Sequence, residues 1–326
     1  MVFSFRNQAS FLYGFLLSTT LICLSFFFNS ACAPTQSDGI KIRLGYLQSD
    51  LHHLPAFVAI ENKYFQEAGL NVEVAGAFRA GPELMSAFAA RELDVGYVGL
   101  APAITAVANG TAVVKYIAQV NREGSAIVVA KGATYNNLAD LRGKVVTIPG
   151  HATMQDFLLR KAFKNAEIPF SEIKLLALKP PEMIPALSRG DIDAFIAWEP
   201  YPAKAVTGNA GRVLMSSHAI WQGHPCCVVV TADAFLKVHP EVIKKIQDVH
   251  RKACEFIKKN QDEAIDIGVK YTGMDRQTIK KALETILYNG ELQKQSVAEF
   301  VDYLKELRYI KPDISQNDLI NKFAPG

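Results

Sequence analysis

Histidines follow two apolar segments of this chain at equivalent places. His52 and His53 lie in a polar loop after the apolar residues 40–46, and His151 comes shortly after the apolar residues 145–148. An imidazole ring can hydrogen-bond, act as a general base or bind a metal ion. The chain contains no Cys-x-x-Cys pair and no Cys/His pattern with zinc spacing. We therefore expect these histidines to form hydrogen bonds, and we expect no metal site.

An aromatic and an acidic side chain follow a third apolar segment. Trp198 and Glu199 come immediately after residues 194–197. Tryptophan at the end of a strand often meets a ligand or an interface, because its ring is apolar and its N–H is polar. The Glu199 carboxylate can accept a hydrogen bond from a ligand or, equally well, from a backbone amide. Both residues are candidates for ligand contact.

Small residues precede two predicted helices. Gly99, Leu100 and Ala101 come before one helix, and Ala152 and Thr153 come before the other. The first turn of a helix has unpaired N–H groups and the positive end of the helix dipole, so it attracts anions without a formal charge. The Thr153 hydroxyl can contact a ligand oxygen or cap its own helix. Both roles stay open.

Charge and motifs narrow the classes of function. The 326 residues carry a formal net charge of +3, without a cluster of Lys and Arg that would neutralise a row of phosphates, so we expect no nucleic acid partner. The chain has no G-x-S-x-G elbow, no phosphate-binding P-loop and no G-x-G-x-x-G fingerprint. Enzymatic activity therefore has no support from motifs.

The elements that position these residues occur twice. Residues 85–102 and 183–200 repeat one another, with Asp94 aligned to Asp193, and each copy follows a strand-like segment and a helical segment. This order predicts β-α-β units with parallel strands and crossover helices. Ligands of such sheets bind beyond the carboxyl ends of the strands. We therefore expect a ligand where the equivalent loops of the two units face each other.

The N-terminus has the layout of an export signal. Arg6 precedes the apolar residues 11–28, and Ser30 and Ala31 precede Cys32. Ser-Ala-Cys resembles a bacterial lipobox, in which diacylglycerol on the Cys32 thiol anchors the mature protein to a membrane. An uncleaved membrane anchor is the alternative, since about 18 apolar residues just span a bilayer. In either case we expect the body of the protein outside the cytoplasm.

Cleavage before Cys32 would remove Cys23, so the mature chain would keep Cys226, Cys227 and Cys254 besides the lipid site. The adjacent pair begins an apolar segment, CCVVVT, in which cysteine behaves as a small buried hydrophobe. Oxidising conditions outside the cytoplasm would allow the two thiols to pair. A disulfide between neighbours closes a strained ring, however, so we expect free thiols.

Several segments in order resemble the exported substrate-binding proteins of ABC importers for nitrate, sulfonates and taurine, a group that includes binders of thiamine pyrimidine precursors. The resemblance rests on GYLQSDLHHLPAFVAIENKYFQEAGLNVEV, FAARELDVGYVGLAPAI, LADLRGKVVTIPG, LSRGDIDAFIAWEPYPAKA and HPCCVVVTADAF. It implies an α/β, type II periplasmic-binding-protein fold. In that fold each of two lobes is a mostly parallel sheet flanked by helices, two crossings join the lobes, and helices form the C-terminal tail.

The resemblance also implies an arrangement of domains and a way of working. The predicted parts are a signal peptide at 1–31, a tether at 32–39, a first lobe at 40–124 and 226–326 that includes the C-terminal helices, and a second lobe at 125–225. Such a protein acts as a monomer without a cofactor. It closes on a small solute and delivers it to a permease that works with an ATPase subunit.

The residues at positions where such proteins contact their ligand can be carried over from the resemblance. They are Gln48, His52, His53, Gly99, Leu100, Ala101, His151, Ala152, Thr153, Trp198 and Glu199, with Asn121 near the first crossing. These loops are poor in cations, which favours a neutral or zwitterionic organic solute over a simple inorganic anion.

An enzyme on the same fold is the alternative that the resemblance leaves open. Menaquinone-precursor lyases and thiamine-pyrimidine synthases also resemble these binding proteins. Their reactions belong to the cytoplasm, so the export signal favours the binding protein.

Overall fold

The computed structural model describes residues 39–289 and 294–323. The predicted signal peptide, most of the tether and Cys32 lie outside the described residues. The strands are β1 Lys41–Leu47, β2 Asn71–Phe78, β3 Val95–Gly99, β4 Val114–Glu123, β5 Ser125–Ala130, β6 Val145–Ile148, β7 Lys174–Ala177, β8 Ala194–Trp198, β9 Gly211–Ser216, β10 Pro225–Ala232 and β11 Ile286–Tyr288. The helices are α1 Leu54–Glu61, α2 Tyr64–Glu67, α3 Gly81–Ala89, α4 Leu100–Ala108, α5 Met154–Asn165, α6 Pro180–Arg189, α7 Tyr201–Thr207, α8 Ser217–Ile220, α9 Asp233–Val238, α10 Pro240–Lys259, α11 Gln261–Thr272, α12 Arg276–Leu283, α13 Lys294–Glu306 and α14 Gln316–Phe323.

The strands form two sheets. The first has the order β11-β4-β10-β3-β1-β2, and the second has the order β7-β6-β8-β5-β9. Strands β1, β2 and β3 pair in parallel, as do β6, β7 and β8, whereas β4, β10 and β11 pair antiparallel and β5 is antiparallel to both of its neighbours. The α/β fold is confirmed. Each sheet is mixed, because β10 runs against the parallel strands of the first sheet and β5 runs against those of the second.

The repeated aspartates have the same structural role in both sheets. The Asp94 carboxylate accepts the Arg43 N–H at 2.9 Å, and the Asp193 carboxylate accepts the Val145 N–H at 2.9 Å. In return, each aspartate donates its own N–H to the carbonyl of the same partner. This exchange joins the start of β3 to β1 and the start of β8 to β6. The internal repeat therefore reflects two equivalent α/β units.

The chain passes between the two sheets twice, and the two crossing segments lie next to each other. The first passes from β4 to β5 through Gly124, whose φ of +83° suits glycine. The second runs from α8 to β10. Glu123 donates its N–H to His224 O at 3.2 Å, and its carboxylate accepts the Gly223 N–H at 2.6 Å and lies 2.8 Å from His218 Nδ1. These bonds fasten one crossing to the other.

The C-terminal region is helical, as predicted, with one exception. The amphipathic pattern of residues 277–287 predicts a single helix, but α12 ends at Leu283 and β11 follows. Ile286, Leu287 and Tyr288 pair with the free edge of β4, and these residue types favour strands. Among the described residues, no helix is both long enough and apolar enough to cross a bilayer.

The C-terminal helix α13 also packs on the second α/β unit. The Phe300 ring stacks on Phe157 of α5 with centroids 4.1 Å apart, and Tyr303 meets the edge of the same ring at 4.8 Å. Phe157 and Phe300 are buried. The tail therefore contacts the helix that is capped by Thr153, one of the predicted ligand residues.

Candidate functional site

A cavity of about 20 Å³ lies where the ends of β1, β3 and β8 face the first turn of α5. Its walls come from both sheets. The lining residues are Leu47, Asp50, His52, Gly81, Gly99, Pro102, Thr153, Met154, Gln155, Trp198, Cys226 and Cys227. Among the residues that the structure describes, no lysine or arginine lines it. This is the edge at which the sequence predicts a ligand.

The structure brings four of the predicted residues together at this cavity, namely His52, Gly99, Thr153 and Trp198. A side chain on Gly99 would come within 2.9 Å of Met154 Cγ, so only glycine lets α5 approach so closely. The cavity is small, with room for about one water molecule.

Gln48, His53 and His151 do not line the cavity. Gln48 is exposed and donates its side-chain N–H to Ala77 O at 3.0 Å. His53 is buried, and its Nδ1 accepts the Leu47 N–H at 3.0 Å. His151 is exposed. These side chains anchor backbone or face solvent.

The backbone around α4 is also committed within the protein. Leu100 and Ala101 are buried, and the Ala101 N–H points at Met154 Sδ, 3.3 Å away. Ala152 lies outside the cavity and donates its N–H to the Asp156 carboxylate at 3.0 Å. The Met154 sulfur thus accepts the Ala101 N–H, one of the helix N–H groups that the sequence indicated as a candidate anion site.

The side chains of Asn121 and Glu199 accept hydrogen bonds from backbone N–H groups and do not line the cavity. Asn121 Oδ1 accepts the Cys227 N–H at 3.2 Å, beside the crossings. Glu199 Oε2 accepts the Ala203 N–H at 3.0 Å, which is the backbone role left open for this carboxylate. Burial raises the pKa of Glu199 to about 7 even though this amide lowers it. Glu199 O also accepts the Leu51 N–H at 3.1 Å and so joins loops of the two sheets.

The sequence left two roles open for Thr153, which were capping its own helix and contacting a ligand. Its Oγ1 accepts the Asp156 N–H at 3.2 Å and donates to Gly150 O at 2.8 Å, so the hydroxyl caps α5. The residue lines the cavity at the same time. Because the hydroxyl hydrogen is already donated to Gly150 O, Thr153 can contact a ligand but has no hydrogen left to donate to it.

Trp198 presents a polar atom without a partner. The side chain is 3% exposed, and its ring meets Tyr201 edge-on at 6.2 Å. Its Nε1 is buried and has no hydrogen-bond partner among the described residues. An unmade hydrogen bond of a buried donor costs about 1–3 kcal/mol. A ligand oxygen at this place would remove that cost.

Comparison with known proteins agrees with this geometry. The profile of the NMT1-like family matches residues 36–269. The chain belongs to the NMT1-like family. It is 30% identical over 213 residues to the taurine-binding periplasmic protein of Escherichia coli, a match that covers 64% of each chain. That relative is a binding protein rather than an enzyme.

Two solved structures show the fold of this NMT1-like chain. The periplasmic aliphatic sulphonate binding protein SsuA of Escherichia coli matches with a TM-score of 0.74 and 20% identity, over 85% of this chain and 96% of that one. The periplasmic nitrate-binding protein NrtA of Synechocystis matches with a TM-score of 0.75 and 15% identity, over 87% and 86%. The fold is therefore that of periplasmic binding proteins.

Sequence reasoning missed several lining residues of this family member, above all Asp50, Gln155, Cys226 and Cys227. Gln155 is buried and donates to Ser125 Oγ at 3.0 Å. The adjacent cysteines were predicted to be hydrophobic filling, and they are buried and free, as is Cys254. The one feature of the sequence that could have indicated that they line the cavity is their position at the start of a strand next to a crossing.

Asp50, His52 and the two thiols form a buried titratable cluster. Burial opposes the charged form of His52, but Cys226 and Asp50 outweigh it and raise the pKa of His52 to about 9. Burial raises the pKa of Asp50 to about 7. A hydrogen bond from Cys227, together with His52, holds the pKa of Cys226 well below its usual range. The protonation states of these neighbouring groups therefore depend on one another.

A larger groove of about 870 Å³ lies elsewhere, along β11 and helices α10, α11 and α12. Charged side chains such as Lys258, Asp262 and Lys280 line it. None of its described lining residues falls within 125–225, which form the second sheet and its helices. We assign the ligand site to the smaller cavity, because that cavity lies at the strand ends and takes its walls from both sheets.

Proposed function

We propose that this NMT1-like protein is the substrate-binding component of an ABC importer and holds a small organic solute in the cleft between two lobes. The observation that carries the proposal is Trp198, which lines a cavity built from both sheets and has a buried N–H without a partner among the described residues. The membership of the family and the fold of periplasmic binding proteins support it. A permease and its ATPase subunit are the partners that such a component requires.

The lining favours a neutral or zwitterionic solute with an oxygen acceptor. Trp198 supplies an N–H donor, and no described lysine or arginine lines the cavity to balance a free anion. The carboxyl group of Asp50 and the amide of Gln155 can receive the polar hydrogens of such a solute. Taurine and other amino-sulfonates, sulfonates, nitrate, bicarbonate and pyrimidine precursors form the group to test.

We place the lobes at residues 40–124 with 226–326 and at 125–225, with hinge motion at the two crossings. The sheets divide at the same places, since β5 to β9 form the second sheet. A cavity of about 20 Å³ is far smaller than the several hundred Å³ of ordinary ligand pockets. Capture of a solute therefore requires the lobes to part and then close around it.

Replacing Trp198 with phenylalanine should weaken solute binding. Trp198→Phe keeps a ring but removes the N–H, so a bound sulfonate, carboxylate or carbonyl oxygen loses its donor. A hydrogen bond to a charged group contributes about 1.5–3 kcal/mol, which corresponds to roughly tenfold to a hundredfold in Kd. The measurement is calorimetric titration with the solute that gives the largest rise in Tm across the panel.

The matched control is Trp221→Phe, because Trp221 lies outside the cavity and packs on Phe157 at 5.9 Å. It should leave Kd unchanged. The proposal fails if no solute of the panel raises Tm and native mass spectrometry of the purified protein finds no bound small molecule. Equal Kd values for Trp198→Phe and the wild type would remove Trp198 from the site.

We also propose that the mature protein is exported and held at the outer face of the cytoplasmic membrane by a lipid on Cys32. The support is the sequence alone, with its apolar residues 11–28 and Ser-Ala-Cys motif. Cys32→Ser should move the protein from the membrane fraction to the soluble extracytoplasmic fraction and abolish labelling by a fatty-acid probe. If Cys32→Ser stays in the membrane fraction, an uncleaved anchor replaces the lipid.

A further inference from the structure

One imidazole and two thiols converge at the wall of the cleft. His52 Nδ1 lies 3.5 Å from Cys226 Sγ and 3.6 Å from Cys227 Sγ, and the two sulfur atoms are 3.9 Å apart. All three side chains are at least 97% buried and border the cavity. Nitrogen and sulfur are the atoms that bind zinc and other thiophilic metal ions.

A local irregularity of β10 directs both thiols to the same place. Neighbouring side chains of a regular strand point to opposite faces, so adjacent cysteines do not normally meet one partner. The pairing of β10 with β4 shifts its register on both sides of Cys227. Asn121 holds this irregularity, because its Oδ1 accepts the Cys227 N–H. Bulges often redirect side chains at functional sites.

The His52 ring is held in the orientation that metal binding requires. Its Nε2 lies 2.7 Å from Gly124 O, and because a carbonyl only accepts, this nitrogen carries a hydrogen. Nδ1 is therefore the atom that can offer a lone pair, and it faces the two sulfur atoms. Histidine ligands of metal ions usually donate their other N–H to a backbone carbonyl in this way.

The distances between the atoms fit one tetrahedral ion. Zinc binds sulfur at about 2.3 Å and imidazole nitrogen at about 2.0–2.1 Å, so tetrahedral angles separate two sulfur ligands by about 3.8 Å and a sulfur from a nitrogen by about 3.5–3.6 Å. The observed separations are 3.9, 3.5 and 3.6 Å. Two thiolates would also balance the charge of a divalent ion, which a buried site requires.

We propose that His52 Nδ1, Cys226 Sγ and Cys227 Sγ bind one zinc ion, or a similar thiophilic divalent ion, with the fourth position open toward the cavity. Asp50 stands next to that position, with Oδ1 3.4 Å from His52 Nδ1. This inference goes beyond the proposed transport function and does not depend on the solute. It departs from the expectation of no metal, because the ligands come from segments far apart in the chain.

The test is titration of metal-free, reduced protein with Co²⁺ and then Zn²⁺. We expect one Co²⁺ per chain, a thiolate-to-cobalt charge-transfer band in the near ultraviolet and the intense visible bands of a tetrahedral ion, all lost when Zn²⁺ displaces Co²⁺. Cys226→Ser and Cys227→Ser should each lose most of the charge-transfer band. Zn²⁺ should raise the Tm of the wild type but not that of the variants.

Cys254→Ser is the matched control. Cys254 is a buried thiol beside a histidine, with Sγ 3.5 Å from His250 Nε2, but it has no second thiol within the described residues near it. It should bind Co²⁺ as the wild type does. A second readout uses unmutated protein, in case the serine variants do not fold. Zn²⁺ should protect two thiols per chain from alkylation under partial denaturation, and peptide mapping should place them at 226 and 227.

The proposal is overturned if reduced wild-type protein shows no thiolate-to-cobalt band. It is equally overturned if that band persists in Cys226→Ser and Cys227→Ser, or if the protected thiol maps to Cys254. A disulfide between Cys226 and Cys227 that survives mild reductants would also contradict it, because the ligands would then be consumed.

Discussion

Gly124→Ala should lower the free energy of unfolding by about 3 kcal/mol. Gly124 has a φ of +83°, which a residue with a side chain adopts at a cost of roughly 1 kcal/mol. An added Cβ would also lie 2.4 Å from His52 Nε2 and 2.8 Å from Ile286 Cγ1. Both neighbours are buried, so neither side chain can move into solvent, and overpacking of this kind costs about 1–3 kcal/mol.

The same methyl group would disturb the hinge. Gly124 O accepts from His52 Nε2 at 2.7 Å and from the Glu199 N–H at 2.9 Å, so it fixes the first crossing to loops of both sheets. Displacing the His52 ring would also separate its Nδ1 from the two thiols. We therefore expect Gly124→Ala to weaken solute and Co²⁺ binding together with stability.

The matched control is Gly110→Ala, measured by urea unfolding followed by circular dichroism. Gly110 has a φ of +68°, but an added Cβ would meet no atom within 4 Å. Its cost should be the backbone cost alone, about 1 kcal/mol. Equal losses in the two variants would mean that the crossing at Gly124 is not tightly packed.

The repeated pattern of the sequence predicted the fold because it depends on local order. Strand, helix and an aspartate at a fixed place recur in both halves, and Asp94 and Asp193 make the same pair of bonds. Strand ends also indicated where the cavity lies, and they identified Gly99 and Trp198 as lining residues. These features depend on the order and direction of the strands along the chain, which can be read from the sequence.

Properties that depend on long-range packing were not visible in the sequence. The pairing irregularity at Cys227 arises from contact with β4, about a hundred residues away, so two adjacent cysteines gave no sign of facing one histidine. Strand β11 forms because residues 286–288 meet the free edge of β4. The amphipathic pattern of the sequence continues through these residues and gives no sign of that edge. The free N–H of Trp198 likewise depends on everything packed around it.

Glu199→Gln should make the protein more stable than the wild type above pH 7, by about 4 kcal/mol at most. In the folded protein, burial raises the pKa of Glu199 to about 7, whereas in the unfolded chain a glutamate has a pKa of about 4.3. Between these two values the folded state binds more protons than the unfolded state, so the free energy of unfolding falls as the pH rises. Each pKa unit corresponds to about 1.4 kcal/mol.

Glutamine imitates the protonated side chain without titrating. Its oxygen can accept the Ala203 N–H as Glu199 Oε2 does at 3.0 Å, and its amide can donate to Thr285 Oγ1, which lies 3.4 Å from Oε1. At pH 4 the two proteins should therefore have similar stability. The gap between them should open as the pH rises from about 4.3 to about 7 and stay constant above that, while the titrations of Asp50 and His52 largely cancel in the comparison.

The measurement is urea unfolding of both proteins at pH 5 and pH 8, with Glu92→Gln as the matched control. Glu92 is exposed, so its substitution should leave the pH dependence of the wild type unchanged. A constant difference between Glu199→Gln and the wild type at both pH values would show that Glu199 is already ionised when folded at pH 5. The loop at the end of β8 would then hold a buried carboxylate, which would make the electrostatic potential of the cleft more negative.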